Sequence, residues 1–575
     1  MIPVEIVHPL AEHYPQTVAA FDEMGALDQL ERIARLDDVW ARMRAAAKGR
    51  EPAPNTPDNT YQRVASTALC LPEYDLIYAG GGLGLLHAAV MAARYRRKVL
   101  LFDRGEVGCA HREWNISREE LHALVGTGVF SWDDLSAVIM REYDTGVVRF
   151  YAGEGNVPEE LWVRHVLDVA LDAGALLRLA RRKLEAAGGT VRDCRAFQAV
   201  RVSADGPVQV EVEVVNSAGE HERYGGRLLL DAMGSISPLA LRRFGGQPFA
   251  GVCPTVGTVV EGLVPGQAPD QHNPQIGDIL LSVTDAQRGQ QYMWEGFPGR
   301  DDELTVYLFY YDTLRNHAGN GRTLRSEPYE PPNLMQLFED YFELLPTYKQ
   351  PGPHFKHLKP VYGYIPARHS VRHQEAPLLR GVLPVGDSAA QQSPLTFCGF
   401  GSHVRNLERT TSLLDEALTH TLLEPEQLRL ISSFQINVSL NWAFSRFMQP
   451  WHAANDVNRV QNLFYTVLNQ LGEECTRRFF RDQMVWSDYH KMVLGMLWRH
   501  PPIVRTAWQV LGPQGYLQWA TDYLVFSRAA AVAALGRKLG KAGLWAVSRV
   551  IEQVSRKHGF AIRAQIAEWK VMGWL

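Results

Sequence analysis

Apolar residues fall at helical spacing within residues 1–50, at Leu27, Leu30, Ile33 and Leu36, and predict a helical N-terminal segment. The run EPAPNTPDNT that follows reads as a Pro/Asn linker. From Tyr74 the pattern becomes that of a βαβ unit: a short apolar strand (DLIYA), a glycine turn, an alanine-rich helix (LLHAAVMAARY) and a second strand (KVLLFD). Leu161 to Ala187 reads as one long amphipathic helix, followed by the strands VQVEVEVV and GRLLLDAMG. Across residues 250–320 hairpin punctuation separates DILLSVTD, QQYMWEGFP and LTVYLFYYD, which suits a second sheet inserted into an α/β core. Beyond residue 400 the signals are helical to the end, with no internal repeat or low-complexity tract.

Composition changes little in this picture. The 575 residues exceed the roughly 100–200 of one domain. With 46% hydrophobic and 21% charged residues, the chain is neither disordered nor collagen-like. Its six cysteines show no C-x-x-C or Cys/His ligand spacing, so no metal site and no disulfide frame is expected, and a reducing compartment fits. The start, MIPVEIVHPLAEHYPQ, lacks a basic-then-apolar signal, and no run of 18 uncharged apolar residues occurs. A cytoplasmic protein with no nucleic-acid partner is expected.

Charge adds one feature. Net charge is −4, yet residues 525–575 hold nine Lys/Arg against Glu552 and Glu568, a balance of +7 that leaves −11 for the rest. Interleaved with Leu535, Leu539, Trp545 and Trp569, this basic tail reads either as amphipathic helix on an anionic membrane surface or as a helical domain packed on the body.

The candidate chemistry begins at the first turn. A strand running into Gly80-Gly81-Gly82-Leu83-Gly84 uses glycine for a tight turn and for close approach of backbone N–H groups to a pyrophosphate at a helix N-terminus. The third position of G-x-G-x-x-G is Leu85, with Gly84 one residue early, so a different helix–strand packing is expected there. Asp103 ends the second strand, where an acidic side chain accepts adenosine ribose hydroxyls, with Arg104 beside it. Asp231-Ala232-Met233-Gly234 and Val385-Gly386-Asp387-Ser388 each follow a later apolar run, at the places a split FAD fold needs them.

The second of these resembles the G-D motif of the p-hydroxybenzoate hydroxylase-like (glutathione-reductase type 2) flavoproteins, which implies that Asp387 binds the ribityl chain of FAD. Pro394-Leu395 and Gly399-Phe400-Gly401 would then open a helix whose amides face the flavin N1/O2 edge. Four further runs, His111 to Leu121 (H-R-E-W-N-I-S-R-E-E-L), Val256-Gly257-Thr258, Gly289 to Pro298 (G-Q-Q-Y-M-W-E-G-F-P) and Gln392 to Gly401, resemble the CruA/CruP-type lycopene cyclases over residues 70–420. The resemblance implies a non-redox, proton-initiated closure of the ends of lycopene or a similar acyclic carotene. FAD would act reduced, with NAD(P)H only as indirect reductant.

The expected fold class is α/β: an FAD-binding Rossmann-like βαβ fold with an inserted antiparallel substrate sheet and a helical C-terminal region. The expected division is residues 1–70, an N-terminal helical segment and linker; 71–250 and 361–430, the two parts of the FAD domain; 251–360, the substrate sheet; and 431–575, the helical C-terminal region, with peripheral membrane association. The expected cofactor residues are Gly80, Gly81, Gly82, Gly84, Asp103, Arg104, Arg112, Gly234, Gly386, Asp387, Pro394, Gly399, Phe400 and Gly401.

Alkene protonation requires a strong acid in a dry cavity with electron-rich neighbours for the cation. Strand alternation puts Tyr292, Trp294 and Gly296 on one face and Met293, Glu295 and Phe297 on the other. Glu295 is thus an apolar-flanked carboxyl that burial would keep protonated, and Asp312, ending YLFYYD, is the second candidate acid. Trp114, Tyr292, Trp294 and Phe297 are expected against the substrate. Glu113 is read as structural or flavin-proximal.

Three rival readings stand beside this one. A flavin hydroxylase carries glycine after the Asp of its D-G motif, where this chain has Ala232, and the W-x-W-x-I-P run of flavin halogenases is not present. Geranylgeranyl reductases are closer, since their Y-x-W-x-F-P motif resembles Tyr292 to Pro298 with one extra residue before Phe-Pro. A carotenoid-binding paralogue without activity is the non-enzymatic reading.

Overall fold

The computed structural model describes residues 9–47, 58–110, 113–244, 251–313, 331–367, 377–389 and 398–575. Its first sheet is built on buried, parallel, largely aliphatic strands. Tyr74–Ala79 pairs with Val99–Phe102 on one side and with His221–Asp231 on the other, and the latter also carries Val382–Pro384. Thr190–Arg192 extends the parallel part, and Val210–Asn216, Arg195–Ser203 and Tyr61–Val64 continue the sheet beyond His221–Asp231.

The register decides what this sheet can do. Ala79 stands beside Phe102 and Asp231, and Asp231 beside Pro384, so segments up to three hundred residues apart in sequence end along one edge. The carboxyl edge of a parallel sheet is where such folds bind ligands. Helix Leu83–Ala93, almost wholly buried and alanine-rich, lets helices Ala173–Ala186 and Gly399–Thr419 close in over one face of the sheet.

The second sheet is mostly antiparallel and centred on the long strand Gly251–Leu263, paired with Pro351–Ala367 and with Leu304–Phe309. Met293–Pro298 lies next, then Ile276–Leu281, Thr145–Arg149 and Glu160–Arg164. One face packs on helix Leu334–Tyr348 and the N-terminal helices, the other on the C-terminal helices.

The long helix expected over Leu161 to Ala187 is corrected. Glu160–Arg164 is an edge strand and Val169–Leu171 a second short one, with helix Ala173–Ala186 beginning only after Asp172. Leu161 and Val163 are buried while Trp162 and Arg164 are exposed, a two-residue period that a helix would scatter over its surface. Asp172 then accepts from the Ala175 N–H at 2.8 Å as the helix cap.

Beyond Gly399 the described elements are helical. The run Ile503–Val554 is broken at Gly512 and Gly540, whose φ of 66° and 67° no helix accommodates. No helix among the described residues is long and apolar enough to cross a membrane.

Candidate functional site

The glycine turn is shaped by what lies against it. Gly80 has φ +112°, and a Cβ there would stand 2.2 Å from the Ala232 carbonyl oxygen. A Cβ on Gly84 would meet that of Ala232 at 2.6 Å, so Gly84 is the close-packing position, while Leu85 is fully buried core. The expected departure at the third glycine is thus a shift of the close approach to the segment after His221–Asp231. Gly80→Ala forces both a left-handed alanine and a backbone clash, and is expected to cost about 1–3 kcal/mol. Thermal unfolding measures it; an unchanged melting temperature would contradict the geometry.

Asp103 stands at the end of Val99–Phe102. One carboxylate oxygen accepts the Gly81 N–H at 2.7 Å and the other the Gly105 N–H at 2.9 Å, leaving each oxygen a further lone pair for a hydroxyl. Arg104 beside it is exposed.

Asp231 is buried and organises its own loop, accepting from Ser237 Oγ at 2.6 Å and from the Met233 N–H at 3.2 Å. Burial pushes its carboxyl up to about 6. Ser237 in turn caps helix Pro238–Arg243. The Gly386-Asp387 segment is tied to the same strand end by Ser388, whose hydroxyl donates to the Asp231 carbonyl.

These segments meet around one cavity of about 570 Å³. Gly82, Gly234, Gly386, Asp387, Gly399 and Phe400 line it, all of them expected cofactor residues. Cβ atoms on Gly82 and Gly234 would meet nothing within 4 Å, so open space lies in front of the turn. A Cβ on Gly401 would lie 2.2 Å from Glu120, so its smallness admits that carboxylate, and Gly401 is not in the cavity wall. Glu120 is held by Arg405 at 2.5 Å, with both side chains buried. Arg112 and Pro394 lie outside the described residues.

The other end of the cavity is formed by the second sheet, with Glu295, Phe297, Tyr307 and Thr255 in its wall. Glu295 is fully enclosed, one of its oxygens has no hydrogen-bond partner among the described residues, and burial holds its carboxyl far above the ordinary 4.5. Tyr143, Tyr311 and Cys253 are close enough that its charge would oppose theirs. The group is therefore a neutral acid in an apolar, phenol-lined recess.

Trp114 and Phe297 line the cavity, as expected for substrate contacts, and the Trp114 ring packs on Phe400 at 4.5 Å. Tyr292 and Trp294 do not, which corrects their assignment. They point to the opposite face of their strand, where Trp294 stacks on Tyr348 at 4.8 Å and the Tyr292 hydroxyl donates to Asp340. Aromatic partners on helix Leu334–Tyr348 claim that face for the core. Asp312 is buried beside Val252 and does not line the cavity; with Glu295 it raises the Cys253 thiol. The carboxyl that accompanies Glu295 in the cavity wall is instead Glu113, which accepts from the Tyr307 hydroxyl at 3.0 Å.

The N-terminal helix Asp28–Ala47 also belongs to the site. Leu36, Val39, Trp40 and Met43 line the cavity from one helix face, and Trp40 stacks on Tyr364 at 4.9 Å. Asp37 fixes the helix by accepting from the Leu334 N–H at 2.9 Å and the Tyr364 hydroxyl at 2.5 Å. The i, i+3, i+4, i+7 spacing of those four residues was the available signal.

No family model matches the chain, and no curated protein matches it in sequence. Among solved structures, a geranylgeranyl bacteriochlorophyll reductase-like protein from Thermoplasma acidophilum is similar at a TM-score of 0.54 and 15% identity, over 76% of this chain and 99% of that one. The halogenase PltM, solved with phloroglucinol and FAD, is similar at 0.51 and 14% identity, over 78% of this chain and 97% of that one. The likeness is one of fold: the chain shares the α/β, Rossmann-like fold of these proteins and has a helical C-terminal region.

Proposed function

We propose that this chain is an FAD-dependent oxidoreductase of the geranylgeranyl reductase type, acting on a carbon–carbon double bond of an isoprenoid. The observation that carries the reading is the single cavity joining the glycine turn and Gly386-Asp387 to the buried, neutral carboxyl of Glu295. The fold shared with a geranylgeranyl bacteriochlorophyll reductase-like protein supports it, as does the aromatic wall of Trp40, Trp114, Phe297 and Tyr362.

The residues present fit the cofactor. The turn Gly80 to Gly84 would hold the pyrophosphate at the start of helix Leu83–Ala93, Asp103 the adenosine ribose and Asp387 the ribityl chain, with Gly399 and Phe400 near the ring. When bound and reduced, FAD supplies a hydride, and NAD(P)H or another two-electron donor restores it. Glu295 holds at its carboxyl oxygen the one proton that, with the hydride, saturates an alkene, and the apolar recess excludes the water that would level its acidity. Trp114, Phe297 and Trp40 orient the chain.

Glu295 also supports the cyclase reading, because alkene protonation followed by loss of a proton elsewhere closes a β-ring with no net electron transfer. One anaerobic experiment separates the two. Protein carrying reduced flavin is mixed with geranylgeranyl diphosphate or lycopene. The reductase reading expects stoichiometric flavin oxidation and a product two mass units heavier per turnover. Rings formed with the flavin still reduced would replace it by the cyclase, and purified protein without flavin would sink both.

A further inference from the structure

The C-terminal helices carry a surface that the cavity does not use. Of the 17 large apolar side chains exposed among the described residues, 13 lie between Leu494 and Val554, so the exposure is concentrated in one region. Leu517, Leu524, Val532, Leu535 and Leu539 recur at intervals that place them on a single stripe of the helical run between Gly512 and Gly540. Three tryptophans of the same region, Trp498, Trp508 and Trp545, are exposed as well, Trp498 at 88%.

Charge is segregated in the same region. From Leu494 to Lys557 there are nine Lys/Arg, all exposed. The only acids there are Asp522, which is buried, and Glu552, which is paired with Arg563 at 2.9 Å. The net charge of this stretch is +7, while the whole chain is −4.

We propose that this face docks the protein on an anionic lipid bilayer, with the leucine stripe and tryptophans in the interface and the cations on the headgroups. Interleaved Leu/Trp and Lys/Arg on exposed helix, without exposed acids, is the chemistry of in-plane membrane binding. A second copy of the chain fits less well, because two such faces would bring +7 against +7. The helices that carry this face also line an apolar cavity of about 210 Å³, with Phe464, Met492, Met496, Leu497, Val504 and Trp519 among its wall residues. Leu497 and Val504 are sequence neighbours of the exposed Trp498 and Arg505, so the docked face and an apolar space share two helices. The proposal does not rest on the FAD reading.

The test is flotation of the full chain with vesicles of equal parts phosphatidylglycerol and phosphatidylcholine, against phosphatidylcholine alone, with sedimentation velocity in parallel. Binding to the anionic vesicles only is expected, with a blue shift of tryptophan emission that high salt reverses. Lys538→Glu/Lys541→Glu/Arg549→Glu, all at exposed positions, is expected to weaken binding at least about tenfold. Circular dichroism and flavin content serve as fold checks on that variant. Absence of anionic-vesicle binding, equal binding by the charge-reversed variant, or a stable dimer that leaves vesicles untouched would each overturn the proposal.

Discussion

Glu295→Gln is expected to lower turnover about 10²–10⁴-fold while the protein still folds and retains flavin, since the amide preserves shape but holds no acidic proton. The same substitution has a signature in stability. The folded carboxyl keeps its proton well above the ordinary 4.5, whereas the unfolded chain releases it near that value. The folded state therefore binds more protons, and wild-type stability falls as pH rises from about 4.5 toward the raised folded value. The variant escapes this loss, so its melting temperature should exceed that of wild type at pH 8 and converge with it at pH 4. A difference independent of pH would mean that Glu295 is ionised in the folded protein, and the acid role would fail. Asp312→Asn, which changes a carboxyl outside the cavity, is expected to leave turnover within about threefold.

Glu120→Ala is the second substitution with a large expected effect, this time on stability. It strips Arg405 of its buried partner and is expected to cost about 3–5 kcal/mol, measured by urea unfolding. The loss should reach the Gly399-Phe400 end of the cavity as well. Glu120 caps helix Arg118–Gly126 by accepting the Ser117 N–H at 3.1 Å and lies against Gly401 in the first turn of helix Gly399–Thr419. The pair Glu120→Ala/Arg405→Leu should recover most of the stability, because a matched apolar replacement leaves no buried charge. If the double variant is as unstable as the single one, the ion pair is not the cause.

The glycine-turn end of the cavity was legible because its signals are local. A strand ending in glycine, an acid at the end of the next strand and an apolar run before Gly386-Asp387 each specify a turn within a few residues, and parallel register then brings those turns to one edge. The fold class followed from the same pattern. The close approach at Gly401 is held in no local pattern: its neighbour, Glu120, is 281 positions away in sequence.

The Glu295 end was legible only by halves. Period-two alternation sorted Met293, Glu295 and Phe297 from Tyr292, Trp294 and Gly296 correctly, but alternation is symmetric and names neither side as the cavity. Helix Leu334–Tyr348 broke that symmetry by offering Tyr341 and Tyr348 to Trp294, which left Glu295 facing inward with one oxygen unpartnered among the described residues. Trp40, Glu113 and Asn115 likewise joined the wall through packing between distant segments. What the residue order alone established was the set of turns, the two strand faces and the concentration of positive charge in the tail. Which face meets the cavity, which carboxyl accompanies Glu295 and which tail residues stay exposed depended on long-range burial, because the cost of desolvating a side chain is set by neighbours that chain order does not reveal.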